Sequence, residues 1–436
     1  MSDSVKFIQN KCIKRVESMA KLPPKLHEFL KSQFPLLLSI WDKIDQLKQK
    51  KTADKPKVEP SVAEPIAAPK SKSRILELIK IRAIDAFGVY AGSKTHVGIS
   101  IGTSSIKLIE LRKTGKIWQL LHFGVVNLPE DVIVNREVVN PVALIENIKV
   151  LINQIKLKNK NVCTSLSGTS LIIKRMTVST TNKKDLQDQV FWEAEQYLPF
   201  DVSEVVMDFH LLSQMSEKES DVIFVAVKKS VLEAYMNCIS EAGLKPKIVD
   251  LDFFALQNLV EANYPMSPTE ATAVVDVGAS SMKIVITSAG VPVFTKDTGI
   301  GGKNLTAEIQ RSLGLSFADA ESLKISGASS GVVPQEVGDL MQNMADNLAV
   351  EIKKTIDFYH ASSSGAPVTS VLLTGGCASI PGFSKVVEDV VNLPAQLMNP
   401  FNVISYDPSV FTPEYLNTIA PLAAIPIGLA LRAGAS

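Results

Sequence analysis

Two stretches decide the fold: "SIGTSSIK", from Ser100 to Lys107, and "DVGASSMK", from Asp276 to Lys283. They agree at every structural position and differ in charge at the first, serine against aspartate. An apolar run precedes each, "HVGISI" in one case and "AVVDVG" in the other, and each reads as a buried strand. A second strand follows ("IKLIELRK" and "SMKIVITS"), then a hairpin and a third ("IWQLLHFGVV" and "VPVFTKDT"). Both halves of the chain therefore open on the same three-strand meander. The repeat period is far too long for a solenoid, so the pattern is a duplicated lobe.

The loop chemistry suits an anion. Glycine turns the backbone without a Cβ clash, and consecutive N–H groups in such a turn form an anion-binding nest. Thr103, Ser104, Ser105, Ser280 and Ser281 add hydroxyl donors. Two such hairpins facing each other would grip a string of phosphates from both sides. One glycine-serine hairpin by itself is most often only a turn, but further features follow the pair. "TGIGGKNLTAEIQRSLG" brings Gly299, Gly301 and Gly302 into the start of a helix. "FADAESLKIS" is an amphipathic helix with Glu321 and Lys324 on neighbouring turns. "VLLTGGCASIPGF" is a buried strand running into Gly375-Gly376, where bare backbone can approach a flat base or ribose.

At 436 residues the chain fits two or three packed lobes. Cys12, Cys163, Cys238 and Cys377 are scattered singly, without zinc or redox spacing, which predicts thiols in a reducing compartment. The five histidines are equally dispersed, so no metal site is expected from side chains alone. The start, "MSDSVKFIQNKCIKRVE", has no secretory pattern. The most apolar segment, "IAPLAAIPIGLALR", carries Pro421 and Pro426. It reads as too short to span a bilayer and as a buried helix closing the core. Charge is uneven: residues 1–82 hold 18 Lys/Arg against 9 Asp/Glu, and the remainder 28 against 36. A basic arm on an acidic globule excludes nucleic-acid binding by the body and points the arm at anionic lipid or an acidic partner.

Four regions are expected. Residues 1–50 are a basic helical extension, and 51–94 a Pro/Ala/Lys-rich linker with a connecting helix. Residues 95–271 form a first lobe, including a small subdomain at about 130–245. Residues 272–436 form a second lobe whose C-terminal helix returns to the core. Helices are predicted for "VALIENIKVLINQIKL", for "NKKDLQDQVFWEAEQYLPF" (capped by Asn182, stopped at Pro199), for "SVLEAYMNCISEAG" and for "DFFALQNLVEAN".

Over residues 96–432 the chain resembles the actin/Hsp70/sugar-kinase superfamily and, within it, the PilM family of type IV pilus assembly proteins, relatives of the division protein FtsA. The motifs that carry this are "VGISIGTSSIKLIEL", "FWEAEQYLPF", "DLDFFALQNL", "AVVDVGASSMKIVI", "IGGKNLTAEIQRSLGLSFADAESLK" and "LLTGGCASIPGFSKVVEDVVNLPAQLMNPF". The resemblance implies an α/β, actin-like (ribonuclease H-like) duplicated two-lobe fold with an extra small α/β subdomain, to which this chain adds its helical N-terminal extension. It implies ATP and Mg²⁺ as ligands. Gly102, Thr103, Ser104, Ser105 and Lys107 would form the first phosphate loop, and Gly278, Ala279, Ser280 and Ser281 the second. Gly301, Gly302, Lys303, Glu321, Lys324, Gly375 and Gly376 would surround the nucleoside. Asp276 would hold Mg²⁺ through water, and Asp252 would orient an attacking water. The partners implied are the N-terminal peptide of a PilN-like inner-membrane protein and other pilus platform proteins, with residues 1–50 against an anionic membrane. The location implied is cytoplasmic, peripheral to the inner membrane.

Ser100 departs from the family, which has aspartate there. Serine brings no charge to a metal, a loss of a few kcal/mol even when screened. Weak Mg-nucleotide binding and at most very slow hydrolysis are expected, with Ser100→Asp tightening the nucleotide. Lys107 and Lys283 also read as surface lysines beside turns, and at 283 the family has a small polar residue. Two rival readings are a small-molecule kinase, which Ser100 disfavours, and an FtsA-like membrane-associated polymer, disfavoured by a chain that stops at "LRAGAS". Cys377 has no histidine placed to activate it. Glu193, Glu195 and Asp201 do not share a helix face. Phe191, Trp192, Tyr197 and Phe200 read as core or as a groove wall.

Overall fold

A computed structural model describes residues 95–179, 183–216, 219–331, 333–363 and 365–434. The readings made for residues 1–50 and 51–94, and for Cys12 and Asn182, lie outside the described residues. By their contacts the described residues group into a body, 95–314 with 324–434, and a separate short segment, 315–323.

The body opens on β1 (Thr95–Ile101), β2 (Ser105–Thr114) and β3 (Ile117–Asn127). β1 has no polar alternation because both its faces are covered, and its five central residues are buried. A short hairpin, β4 (Ile133–Val134) and β5 (Glu137–Val138), leads to α1 (Pro141–Gln154). The Asn140 side chain accepts from the Ala143 N–H at 3.1 Å, and Pro141 sits in the first turn, where its missing N–H is harmless. Then come β6 (Asn161–Leu166), β7 (Leu171–Val178), α2 (Lys183–Ala194), β8 (Val205–Gln214), β9 (Ser220–Lys228), α3 (Lys229–Glu241), β10 (Lys245–Leu251) and α4 (Asp252–Asn263).

The second lobe repeats the plan with β11 (Ala271–Val277), β12 (Met282–Ser288), β13 (Val291–Thr298) and α5 (Gly302–Leu313). It continues through α6 (Phe317–Ser330), α7 (Gln335–Ser362), β14 (Val368–Thr374), α8 (Phe383–Val391), β15 (Ala395–Leu397), β16 (Ile404–Ser405) and α9 (Pro413–Ala433). One sheet runs β10-β6-β1-β2-β3-β16 and the other β15-β14-β11-β12-β13. In each, the meander is antiparallel and two strands added beside its first run parallel to it, and in the first sheet β16 also pairs parallel with β3. The duplication extends to register: Ser100 pairs with Lys107 as Asp276 pairs with Lys283.

Within the stretch 130–245, Leu171–Lys228 carries a three-stranded sheet ordered β7-β9-β8. Val178, Leu186, Val190 and Phe224 fill its core. α1, β6 and α3 pack into the first lobe instead, where Leu144, Ile148, Leu232 and Ile239 sit in one cluster with Val97 and Ile99.

A further cluster joins the lobes. Ile109 and Leu111 from the first meet Val274, Val285 and Leu372 from the second, around Leu256 and Leu259 of α4 and Ile419 and Ile427 of α9. α9 corrects one expectation. With 21 residues it is long and apolar enough to cross a membrane, so shortness does not exclude that. Its apolar window is mostly buried inside the body, against β1, β2, β6 and α4.

Candidate functional site

Each opening hairpin closes in the same turn. Gly102 N–H donates to the Ser105 carbonyl at 3.0 Å, and Gly278 N–H to the Ser281 carbonyl at 2.9 Å. The two turns face each other, with Thr103 Oγ1 and Ser280 Oγ 2.7 Å apart. Behind that contact lies one cavity of about 70 Å³. Both turns line it, through Gly102, Thr103 and Ser104 on one side and Gly278, Ala279, Ser280 and Ser281 on the other. Gly375 and Gly376 close a third side. Gly375 has φ +89°, and a Cβ there would lie 2.5 Å from the Val277 carbonyl, so only glycine fits against the second loop.

Not every predicted residue reaches the cavity. Gly302 N–H and Lys303 N–H donate to the carbonyls of Gly278 and Ala279 at 3.0 and 2.7 Å, so the start of α5 supports the second loop from behind. A Cβ on Gly301 would sit 2.6 Å from that loop's backbone. Lys324 Nζ donates to the Gly302 carbonyl at 3.2 Å and to Thr306 Oγ1 at 2.9 Å, again behind it. Ser105 is buried under the first turn. Glu321 lies in the segment 315–323, which is grouped apart from the body.

The charged centre differs most from expectation. Lys283 is no surface lysine: it is 5% exposed, and its Nζ lies 3.1 Å from Asp276 and 3.3 Å from Asp252. Burial works to lower its pKa, but the two carboxylates outweigh that and raise it. Burial would raise Asp252, yet Lys283 and the Ser165 hydroxyl, which donates at 2.6 Å, hold it below the ordinary carboxylate range. Lys107 lines the same cavity, where burial pulls its pKa down. Arg136, at the tip of the β4–β5 hairpin, donates to Ser167 in the first lobe and to Ser281 in the second, and pairs with Asp297 at 3.2 Å. No local motif announces Arg136, Ser165 or Ser167, since only the fold gathers them.

These residues do not fit Mg²⁺. The ion takes one or two carboxylates plus phosphate oxygens and water. Both carboxylates here are already held by an ammonium, and Ser100 offers no charge from the other side. Asp276 and Asp252, expected as metal ligand and water-orienting group, both contact Lys283 in this arrangement. A polyphosphate anion does fit the donor set of loop hydroxyls, Lys107, Lys283 and Arg136. In this arrangement the cavity is smaller than the ~300–1,000 Å³ of ligand pockets, so the lobes must part to admit a nucleotide.

The remaining candidates have structural partners. The Cys377 thiol packs under the second loop, 3.6 Å from the Gly278 carbonyl. Glu193 accepts from Gln189, and Asp201 caps Ser203. Phe191 and Phe200 pack on the subdomain core, whereas Trp192 and Tyr197 are 62% and 46% exposed.

A family model described as type IV pilus assembly protein PilM matches residues 98–434. The chain belongs to the PilM family. It is similar to a chain in the solved PilM–PilN type IV pilus biogenesis complex, with TM-score 0.70 and 27% identity over 78% of this chain and 98% of that one. It is 21% identical to the cell division protein FtsA of Bacillus subtilis (strain 168) over 369 residues, 73% of this chain and 82% of FtsA. As a PilM-family member it is an actin-like component of type IV pilus assembly.

Proposed function

We propose that this chain binds ATP between its lobes and, on the cytoplasmic side of a type IV pilus platform, recruits the N-terminal tail of a PilN-like inner-membrane protein. The observation that carries the reading is the structural match to a chain of the PilM–PilN complex, which covers 98% of that chain. The two loops facing across one cavity support the nucleotide half of it. Gly102–Ser104 and Gly278–Ser281 receive the phosphates with Lys107, and Gly375–Gly376 receives the nucleoside. ATP supplies a polyphosphate that both lobes can hold at once. Hydrolysis is at most slow, because Asp252 is engaged by Lys283 and Ser165 rather than poised over a water. The basic first 82 residues add attraction to anionic lipid beside the platform.

Nucleotide biases tail binding only if the two lobe arrangements differ in affinity for the tail. Fluorescence anisotropy of a labelled PilN-like N-terminal peptide, titrated with the full chain with and without ATP, tests both halves. Saturable binding that tightens with ATP is expected. Binding that ignores ATP would remove the coupling, and no binding at all would remove the partner.

A further inference from the structure

Lys283 lies directly opposite Asp276 in the β11–β12 register and bridges Asp276 and Asp252 from a nearly solvent-free position. At the matching place in the first lobe, Ser100 faces Lys107, which lines the same cavity. The cleft thus carries two carboxylates and two ammonium groups of its own, and the Arg136–Asp297 pair beside them is also neutral. Nothing in this set awaits a divalent cation.

We propose that the Lys283 ammonium is the resident cation of this cleft, standing between Asp276 and Asp252, and that the site takes a nucleoside polyphosphate as the metal-free anion. The inference rests on the reading of the cleft as a nucleotide site. An incoming Mg²⁺ would meet carboxylates already neutralised and an ammonium at contact range, and would lose its hydration without recompense. An ammonium has three N–H donors. Two point at Asp276 and Asp252, and the third is directed to a phosphate oxygen once the lobes part. Lys107 and Arg136 supply the remaining positive charge, and the hydroxyls of Thr103 and Ser280 exchange their mutual bond for bonds to the ligand.

The test titrates the full chain with ATP by calorimetry, in excess MgCl₂ and in excess EDTA. Affinities within about threefold of each other are expected, whereas a loss of about tenfold or more in EDTA would overturn the proposal. In Lys283→Met, the freed carboxylates are expected to make ATP binding depend on Mg²⁺, and an unaltered dependence would overturn it. That variant leaves two buried charges unpaired, so a second measurement needs no variant: titration of the wild-type chain with Mn²⁺ alone, followed by electron paramagnetic resonance. No Mn²⁺ bound at the cleft is expected, and a stoichiometric site lost in Asp276→Asn would overturn the assignment. ATP that binds in neither buffer sinks the nucleotide reading instead, and the Mn²⁺ titration then still decides whether Lys283 fills the metal's place.

Discussion

Asp250 ends β10 in the interior, with Oδ1 accepting from the Leu251 N–H at 2.8 Å and Oδ2 without a hydrogen-bond partner among the described residues. Its nearest cation, Arg432, is 3.7 Å away. Burial therefore pushes the carboxyl up to about 6, against roughly 3.9 in an unfolded chain. The folded state keeps the proton to higher pH, so stability is full below the unfolded value and falls as pH rises through the folded one. Asp250→Asn should remove that slope. Urea unfolding of both proteins should show the wild type losing about 2–3 kcal/mol relative to the variant between pH 4 and pH 7. A constant difference would contradict the burial argument. Ser100 gives a second residue-scale test. From sequence, Ser100→Asp looks like a restored metal ligand that tightens nucleotide. With Lys107 directly opposite, the new carboxylate instead forms a cross-strand ion pair and withdraws that cation from the anion. ATP affinity in EDTA should fall by roughly tenfold, the effect of about 1.4 kcal/mol. The loop glycines and hydroxyls were legible because a turn announces itself locally. Lys283 and Arg136 were not, because their partners lie on elements distant in sequence and, for Arg136, partly in the other lobe.

At the scale of elements, α9 is held by close backbone approach. Pro426 cannot donate a helical hydrogen bond and disturbs its turn. Nearby, the Pro421 carbonyl accepts the Gly375 N–H at 2.9 Å, which ties the helix to the glycine turn of the site. A Cβ on Gly428 would lie 1.9 Å from the Ala255 carbonyl of α4, and one on Gly98 of β1 would lie 2.0 Å from the Pro426 carbonyl. Gly428→Ala should therefore cost about 3 kcal/mol, read as a lowered unfolding midpoint with an unchanged slope. A neutral effect would mean that α9 and α4 are free to separate. Elements with a strong period could be read from sequence: α4 spans Asp252–Asn263 and β13 spans Val291–Thr298, as "DFFALQNLVEAN" and "VPVFTKDT" suggest. β8 and β10 could not. β8 is half exposed with mixed side chains, and β10 begins Lys-Pro-Lys and carries a register shift between Pro246 and Ile248. Both are strands because a neighbour pairs with them.

At the scale of the molecule, duplication was legible because the two turns match position by position inside the same three-strand plan, and the matching strand orders follow from it. The closed state was not. Whether two loops touch depends on hydroxyl pairs and on an arginine whose partners lie across the cleft, and neither leaves a periodic trace in the chain. Thr103–Ser280 and the contacts of Arg136 with Ser281 and Asp297 now close the space that a polyphosphate would enter. Binding between the jaws must break them, since a site of about 70 Å³ cannot hold a nucleoside triphosphate. The most direct measurement is the distance between spin labels at two exposed positions, Lys149→Cys on α1 and Arg311→Cys on α5, by double electron–electron resonance with and without ATP. Saturating ATP should shift the distribution to a longer separation. A distribution that ATP leaves unmoved would contradict the account, for the two loops would then not be gripping one ligand.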